Sequence, residues 1–404
     1  MNLNFYIKNE KIVIIFLFFL STIIRIPAVY IYGDTSLENE WEIIVYNLTE
    51  HGQLAFRNFD GFLLPNLYMP PLYPLFLYLF KFFYLTEQNY ILAILYSQLI
   101  LSSISVVLFY NINKKFFTRE ISIFGSLLFS CFPLYIYACS QISSITLQIF
   151  LTIVFLHAFF EILSNNKKVS YIFLISITSG LLVLLRGEFF IILFISLIYL
   201  LASKKLSLKK IFIVVMITLV TISPYLIRNF INFNTFTITK SFGYNLWKGN
   251  NPNSKVEGSE IINKNLYQKI NKINKDKFYQ IKRDKIFFNE AIENISSDPS
   301  HYFLLYIKKF LSFLFVDFSS SQNHYYNYLH IIPVLLLSIT SLIGMLLVYR
   351  KSSKYDYLIL IFLIYIMIFS TFFILPRYKL ILIPIQLIFT NVLVECIIKK
   401  YFSK

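Results

Sequence analysis

This chain has little charge. Of its 404 residues only 14% are Asp, Glu, Lys or Arg, and bases outnumber acids by 37 to 21. A water-soluble domain needs a charged exterior. With 57% hydrophobic residues and a mean hydropathy of +0.64, the chain is expected to be an all-α polytopic membrane protein. Cysteine is scarce too. Cys131, Cys139 and Cys396 each lie in or beside an apolar run, without Cys-x-x-Cys or Cys/His spacing. That argues against a disulfide framework or zinc site and for buried thiols. The histidines also lack ligand spacing, so no metal centre is expected. No small-residue cleavage site follows the first apolar run, Ile12 to Ile31, which is longer than a signal-peptide core and reads as a retained anchor. An internal repeat and Gly/Pro-broken spans with mid-membrane charges, common in transporters, are missing as well.

What is present is a series of apolar runs of bilayer-spanning length, roughly 17–25 residues. They fall at 11–32, 89–111, 120–138, 143–163, 169–186, 188–203, 210–228, 328–349, 356–375 and 380–398, about ten spans in all. Basic residues collect between them: Lys8 and Lys11; Lys114, Lys115 and Arg119; Lys167 and Lys168; Lys204, Lys205, Lys209 and Lys210; Arg350, Lys351 and Lys354; Lys399, Lys400 and Lys404. These clusters occupy alternate loops, so the positive-inside rule places them and both termini in the cytoplasm. The net charge of +16 is then a mark of topology, and no nucleic-acid partner is expected. The Lys-rich stretch from Lys264 to Lys285 reads as one solvated helix facing anionic lipid headgroups. Within a single membrane domain, 1–404, two long segments lie on the outer face: 33–88 and 229–327. In the first, Pro70 to Tyr84 is short, aromatic and interrupted by Lys81, as in an interfacial or re-entrant helix. The second ends in an amphipathic stretch from His301 to Phe318.

The first outer segment opens with Asp34, Glu38, Glu40 and Glu42, crowded beside lipid. Helix chemistry explains part of this. Leu37, Trp41, Ile44, Val45 and Leu48 form an apolar stripe at helical spacing over 37–49. Thr35-Ser36-Leu37-Glu38 fits a capping box with Thr35 as N-cap. Capping accounts for Glu38, and Glu42 is one turn further along, in solvent. Asp34, at the mouth of the first span, and Glu40, off the apolar stripe, have no such task and are the candidate catalytic carboxylates. Arg186 and Arg377 stand on short outer loops, where basic residues are disfavoured; anion binding competes with snorkelling as the explanation. Arg25, near the outer end of the first span, is accounted for by snorkelling. Glu188 is placed to pair with Arg186 or to bind substrate. Trp247 and Asn250 offer an aromatic face and an amide to a sugar, against an ordinary turn in Gly249-Asn250-Asn251-Pro252.

A set of short motifs runs in order along the chain: Asn39-Glu40-Trp41, Val45-Tyr46-Asn47-Leu48, His51-Gly52-Gln53, Pro70-Pro71-Leu72-Tyr73, Leu185-Arg186-Gly187-Glu188, Asn245 to Pro252, Ser297-Asp298-Pro299 before Lys308 and Lys309, and Arg377-Tyr378-Lys379 before Pro384. The series resembles the GT-C glycosyltransferases, in the group around the protein O-mannosyltransferases, the lipid A aminoarabinose transferases and the related bacterial proteins of family 39. Two positions depart from the pattern. Asn39 stands where that group has the aspartate of an Asp-Glu pair. Ser140-Gln141-Ile142-Ser143 carries no acid where relatives often have a second one.

The resemblance implies a GT-C architecture of about ten transmembrane helices plus outer-face interfacial helices. It implies a hexosyl- or pentosyltransferase that moves a sugar, with inversion, from a polyprenyl-phosphate donor to a lipid, glycan or protein acceptor. The site would face outward from a bacterial inner membrane. No cofactor is implied, and a divalent metal is left open. Glu40 or Asp34 would take the acceptor proton. Arg377, Lys379, Arg186 and Lys248 would meet the donor phosphate. Glu38, Tyr73, Glu188, Trp247, Asn250 and Tyr378 would contact substrate. The rival functions are a transporter or flippase of lipid-linked glycans, a polymerase or ligase of surface polysaccharide, and a non-catalytic relative.

Overall fold

A computed structural model describes residues 9–59, 62–83, 86–166, 168–318, 320 and 327–401. Six described helices have the length and hydropathy to cross a bilayer: α1 (Glu10–Tyr32), α4 (Glu87–Asn113), α7 (Ser144–Leu163), α10 (Leu208–Phe233), α15 (Tyr328–Val348) and α16 (Ser353–Ser370). The other expected spans are helical as well. α8 (Val169–Leu185) and α9 (Phe189–Ala202) are apolar but shorter, and α17 (Ile383–Tyr401) follows a 3-10 helix, Pro376–Ile381.

The span expected at 120–138 is broken into α5 (Arg119–Cys131) and α6 (Pro133–Ala138). Proline excludes the residue before it from helical geometry, and Phe132 is accordingly extended, at φ −68° and ψ 118°. α7 is the central helix, with 83% of its apolar window buried. It packs on α4, α8 and the 3-10 helix, while α1 packs on α4, α5 and α6, α10 on α8, and α17 on α15 and α5.

Arg25 does not snorkel. It is fully buried, donating to Ser102 Oγ at 2.8 Å, to the Ser21 carbonyl at 2.9 Å and to the Ser130 carbonyl at 3.2 Å. Its charge thus ties α1 to α4 and α5. The outward stem that snorkelling needs is denied by the packing of those helices around it. The expectation of three buried thiols also needs correcting: Cys139 is buried, but Cys131 and Cys396 are exposed, and all three are free.

The first expected outer segment holds α2 (Asn39–His51), a two-stranded antiparallel hairpin of β1 (Ala55–Phe59) and β2 (Phe62–Pro65), and α3 (Leu72–Lys81). α2 ends at Gly52, whose φ of +62° is left-handed and whose N–H donates to the Asn47 carbonyl, a conformation glycine adopts without strain. The hairpin is strand where only helix was expected. Asp60-Gly61, a strong hairpin dipeptide between apolar stretches, is its sequence signal.

The second segment holds α11 (Phe242–Gly249), α12 (Lys264–Asn271), α13 (Tyr279–Ser297) and α14 (Pro299–Leu314). The single Lys-rich helix expected there is two. Between them the Asp276 carboxylate accepts from the Phe278 N–H at 2.9 Å, the local competition by which Asp interrupts helices. Leu246, Trp247, Leu266, Ile270, Phe287 and Ala291 form a small core of their own. Arg228 and Gln280 dock the two segments: Arg228 donates to the Asn66 and Leu54 carbonyls, at 2.7 and 2.9 Å, and Gln280 accepts from the Leu67 N–H at 2.6 Å.

Candidate functional site

Where α1 ends, the chain is clamped against the α6–α7 turn. The Asp34 N–H donates to the Ser140 carbonyl at 3.2 Å, and Asp34 Oδ2 accepts from the Ile142 N–H at 2.5 Å. Gln141 donates to the Tyr32 carbonyl at 2.7 Å. Gln98, from α4, donates to the Gln141 carbonyl at 2.8 Å and accepts from the Tyr73 hydroxyl at 3.0 Å. Trp41 meets the Tyr73 ring edge-on at 4.9 Å between centroids. One backbone N–H thus holds the carboxylate, and Gln98 and Tyr73 brace the turn that supplies it. Burial pushes the Asp34 carboxyl above its ordinary range, the bond from Ile142 opposes that, and nearby Glu38 adds to it. A carboxyl raised in this way is the stronger base once ionised.

The clamp also moves the start of α2. Thr35 is not its N-cap: the helix begins at Asn39, with Glu38 as N-cap, at φ −121° and ψ 156°, making no side-chain cap bond. Residues drawn towards the α6–α7 turn are held out of helical geometry, so the capping box does not form. Glu38 is exposed, and Glu40 is half-buried in the first turn of α2. The expected stripe is found, with Ile44 and Val45 buried and Leu37 and Trp41 packed on the main core.

A second locus forms around the 3-10 helix. The guanidinium of Arg186, at the end of α8, lies 5.9 Å from the centre of the Tyr378 ring, and that of Arg377 lies 5.7 Å from the same ring. Among the described residues neither arginine is ion-paired, and Arg186 and Glu188 do not form the expected bridge. Two cations sharing one ring without a carboxylate favour an anion between or beside them. The loci are joined through α6: the Tyr135 hydroxyl donates to the Leu380 carbonyl at 2.6 Å, while Asp34 holds the turn that follows α6.

Other expected site residues lie in packing roles. Lys379 is buried and donates to the Phe315 carbonyl near Asp317; burial pulls its ammonium down to about 7. Lys248 pairs with Glu260 at 2.5 Å and lies over the Phe373 ring. Trp247 is in the small core. The Asn250 amide donates to the Leu246 and Thr371 carbonyls, both at 2.8 Å, and accepts from Lys309 at 3.1 Å. That turn fits only because Gly249 lacks a side chain: a Cβ there would sit 2.1 Å from the Phe372 carbonyl oxygen. Gly249→Ala is expected to lower stability by about 1–3 kcal/mol, the usual cost of overpacking. Melting in detergent checks this, and an unchanged midpoint rejects it.

Sequence reading missed Gln98 and Arg228, which have no motif, and noted Gln141 only for the acid absent from its loop; all three act through partners distant in sequence. Among the described residues no three His, Cys, Asp or Glu side chains converge as a metal site.

Comparison with known proteins bears on this arrangement. Residues 69–227 match the family model of dolichyl-phosphate-mannose-protein mannosyltransferases. The oligosaccharyltransferase of Archaeoglobus fulgidus in its apo form is similar over 98% of this chain and 51% of its own, with TM-score 0.56 and 13% identity. The same enzyme, AglB, in complex with an inhibitory peptide and a dolichol-phosphate is similar over 97% and 50%, with TM-score 0.57 and 14% identity. ArnT from Cupriavidus metallidurans bound to undecaprenyl phosphate aligns over 94% of this chain and 76% of its own, at TM-score 0.43 and 10% identity. The chain spans about half the length of the oligosaccharyltransferase structures it matches. A comparison with curated proteins returns no match.

Proposed function

This chain is an integral membrane protein with the fold of the GT-C glycosyltransferases, and on that premise we propose that it transfers a sugar from a polyprenyl-phosphate donor to an acceptor hydroxyl. The observation that carries the reading is the presence of a desolvated, hydrogen-bonded carboxylate, Asp34, and of two arginines at Tyr378 with no ion pair among the described residues. A base and an anion clamp are what inverting transfer requires. The acceptor oxygen attacks the anomeric carbon while the carbon–oxygen bond to phosphate breaks. The bonding pair leaves with the polyprenyl phosphate, whose charge Arg186 and Arg377 meet. The acceptor proton passes to Asp34, on the oxygen not bonded to Ile142. Glu40, half-buried in the first turn of α2, is the alternative base. The dolichol-phosphate in the similar archaeal structure supports a lipid phosphate as the leaving group. The site is assigned to the outer face because the basic loops fall on the other side of the spans, and a bacterial inner membrane is the proposed home.

The test is reconstitution of the purified protein in liposomes with polyprenyl-phosphate sugars and a membrane extract as acceptor source. Release of polyprenyl phosphate with incorporation of label into a new glycoside is the expected result. Movement of intact glycolipid between leaflets without release would instead make the protein a flippase. If Glu40→Gln abolishes transfer while Asp34→Asn leaves it intact, the base is Glu40 and the assignment above is wrong.

A further inference from the structure

Below the Arg186–Glu188 loop lies a narrow cleft between α7, α9, α16 and the start of α17. Besides Arg186 and Glu188, its lining is apolar apart from Gln148 and Thr152 on α7 and Tyr357 and Tyr365 on α16, and the Tyr357 hydroxyl is already bonded to Ser196 at 2.7 Å. Gln148, Thr152 and Tyr365 are 4%, 8% and 3% exposed, and Gln148 Oε1, Thr152 Oγ1 and the Tyr365 hydroxyl have no hydrogen-bond partner among the described residues. An unsatisfied polar atom in an apolar interior costs about 1–3 kcal/mol, so three around one cleft call for a common partner. The free space, ≈ 20 Å³, suits one water or one small hydroxylated group and is far too small for a sugar ring.

The hydrogen-bonding capacity identifies that group. The amide oxygen only accepts, while the two phenol or alcohol hydroxyls donate or accept. A single hydroxyl that donates to Gln148 and accepts from Thr152 and Tyr365 satisfies all three with its one proton and two lone pairs. The apolar walls suit a methylene beside it. Depth agrees as well. Ser144, Gln148 and Thr152 recur at four-residue spacing on one face of α7. Gln148 is one turn, about 6 Å along the axis, from Ser144, which follows closely on the Ile142 N–H that holds Asp34. Arg186 and Glu188 stand at the mouth.

We propose that this cleft is a specificity subsite that receives the exocyclic hydroxymethyl group of a hexosyl donor, its hydroxyl bound by Gln148, Thr152 and Tyr365. The proposal rests on the reading of the chain as a lipid-phosphate sugar transferase and names the sugar class that such an enzyme takes. A donor with its phosphate at the arginines and its anomeric carbon towards Asp34 would extend its far side down α7 into this space. Pentosyl and 6-deoxyhexosyl donors would leave the three polar atoms unpaired, and sites built for a hydroxyl discriminate strongly against analogues lacking one.

The test uses polyprenyl-phosphate glucose, mannose and galactose, each alongside its 6-deoxy counterpart, with binding read by thermal shift of the full chain and turnover by release of polyprenyl phosphate. At least one hexose donor is expected to bind a hundredfold or more tighter than its 6-deoxy form. Thr152→Val and Tyr365→Phe, which keep the cleft's shape, are expected to remove most of that preference by weakening the hexose alone. Equal binding of every hexose and 6-deoxy pair overturns the proposal, as does equal weakening of both members of the pair in the variants. So does a donor-bound structure whose cleft holds water only. Because binding is read apart from turnover, hydroxymethyl-dependent binding without transfer rejects the transferase reading and keeps the subsite. Transfer without that preference does the reverse.

Discussion

Asp34→Asn is expected to reduce sugar transfer by about a hundred- to ten-thousandfold, the usual contribution of a positioned general base, while leaving the fold intact. The amide keeps an oxygen that can accept the Ile142 N–H, so the clamp on the α6–α7 turn survives and only the proton acceptor is lost. The pH profile gives an independent reading. Asp34 acts deprotonated, so transfer falls as pH drops through its pKa. Since burial raises that pKa, the acid limb is expected above the ordinary carboxylate range. Moving Glu38 to Gln removes one of the raising influences and is expected to shift the limb downward. An acid limb that stays put in Glu38→Gln, or a variant at position 34 as active as the parent, rejects the assignment.

The second large effect is expected at the arginine pair. Removal of one preorganised positive donor from a transition state typically costs about a hundred- to thousandfold in rate. Arg186→Ala and Arg377→Ala should each fall in this range, mainly in kcat if the charge they meet develops as the phosphate departs. Neither guanidinium has an ion-pair partner to strand among the described residues, so the melting temperature should change little. Arg377→Lys keeps the charge but not the two-pronged fork, and is expected to recover only part of the loss. If both arginines act on one phosphate, the double variant loses less than the product of the single losses. Wild-type rates in either single variant would leave snorkelling as the better account of that residue.

Much of the architecture was legible because bilayer-length apolarity is a local property. Each of the ten expected stretches is largely helical, six of them in helices long and apolar enough to cross a bilayer, and the one at 120–138 is in two pieces whose break Pro133 dictates. Asp34 and the two arginines also stand out in the sequence as candidates, because charge at an apolar boundary is conspicuous. What was hidden depends on contacts distant in sequence. Thr35 is a sound N-cap by local rules but is overruled by the pull of Ser140 and Ile142. Trp247 and Asn250 look available to a sugar until Phe287, Thr371 and Lys309 are seen around them. Gln148, Thr152 and Tyr365 carry no motif, and only the folded chain brings them to one cleft.

Arg25 has a consequence for how the protein comes to exist in a membrane. Its hydrogen-bond partners on other helices, Ser102 and Ser130, lie 77 and 105 residues further along the chain, and are made only after α1 has left the ribosome. A lone helix with an arginine in its apolar stretch enters the bilayer at a penalty of about 2.5–3.5 kcal/mol when that residue is central. α1 is therefore a reluctant first anchor until α4 and α5 arrive to solvate its charge. Chains truncated after α1 are expected to be retained in the membrane less efficiently than chains continued through α5. Arg25→Leu should erase that difference, which glycosylation-site mapping of membrane insertion would reveal.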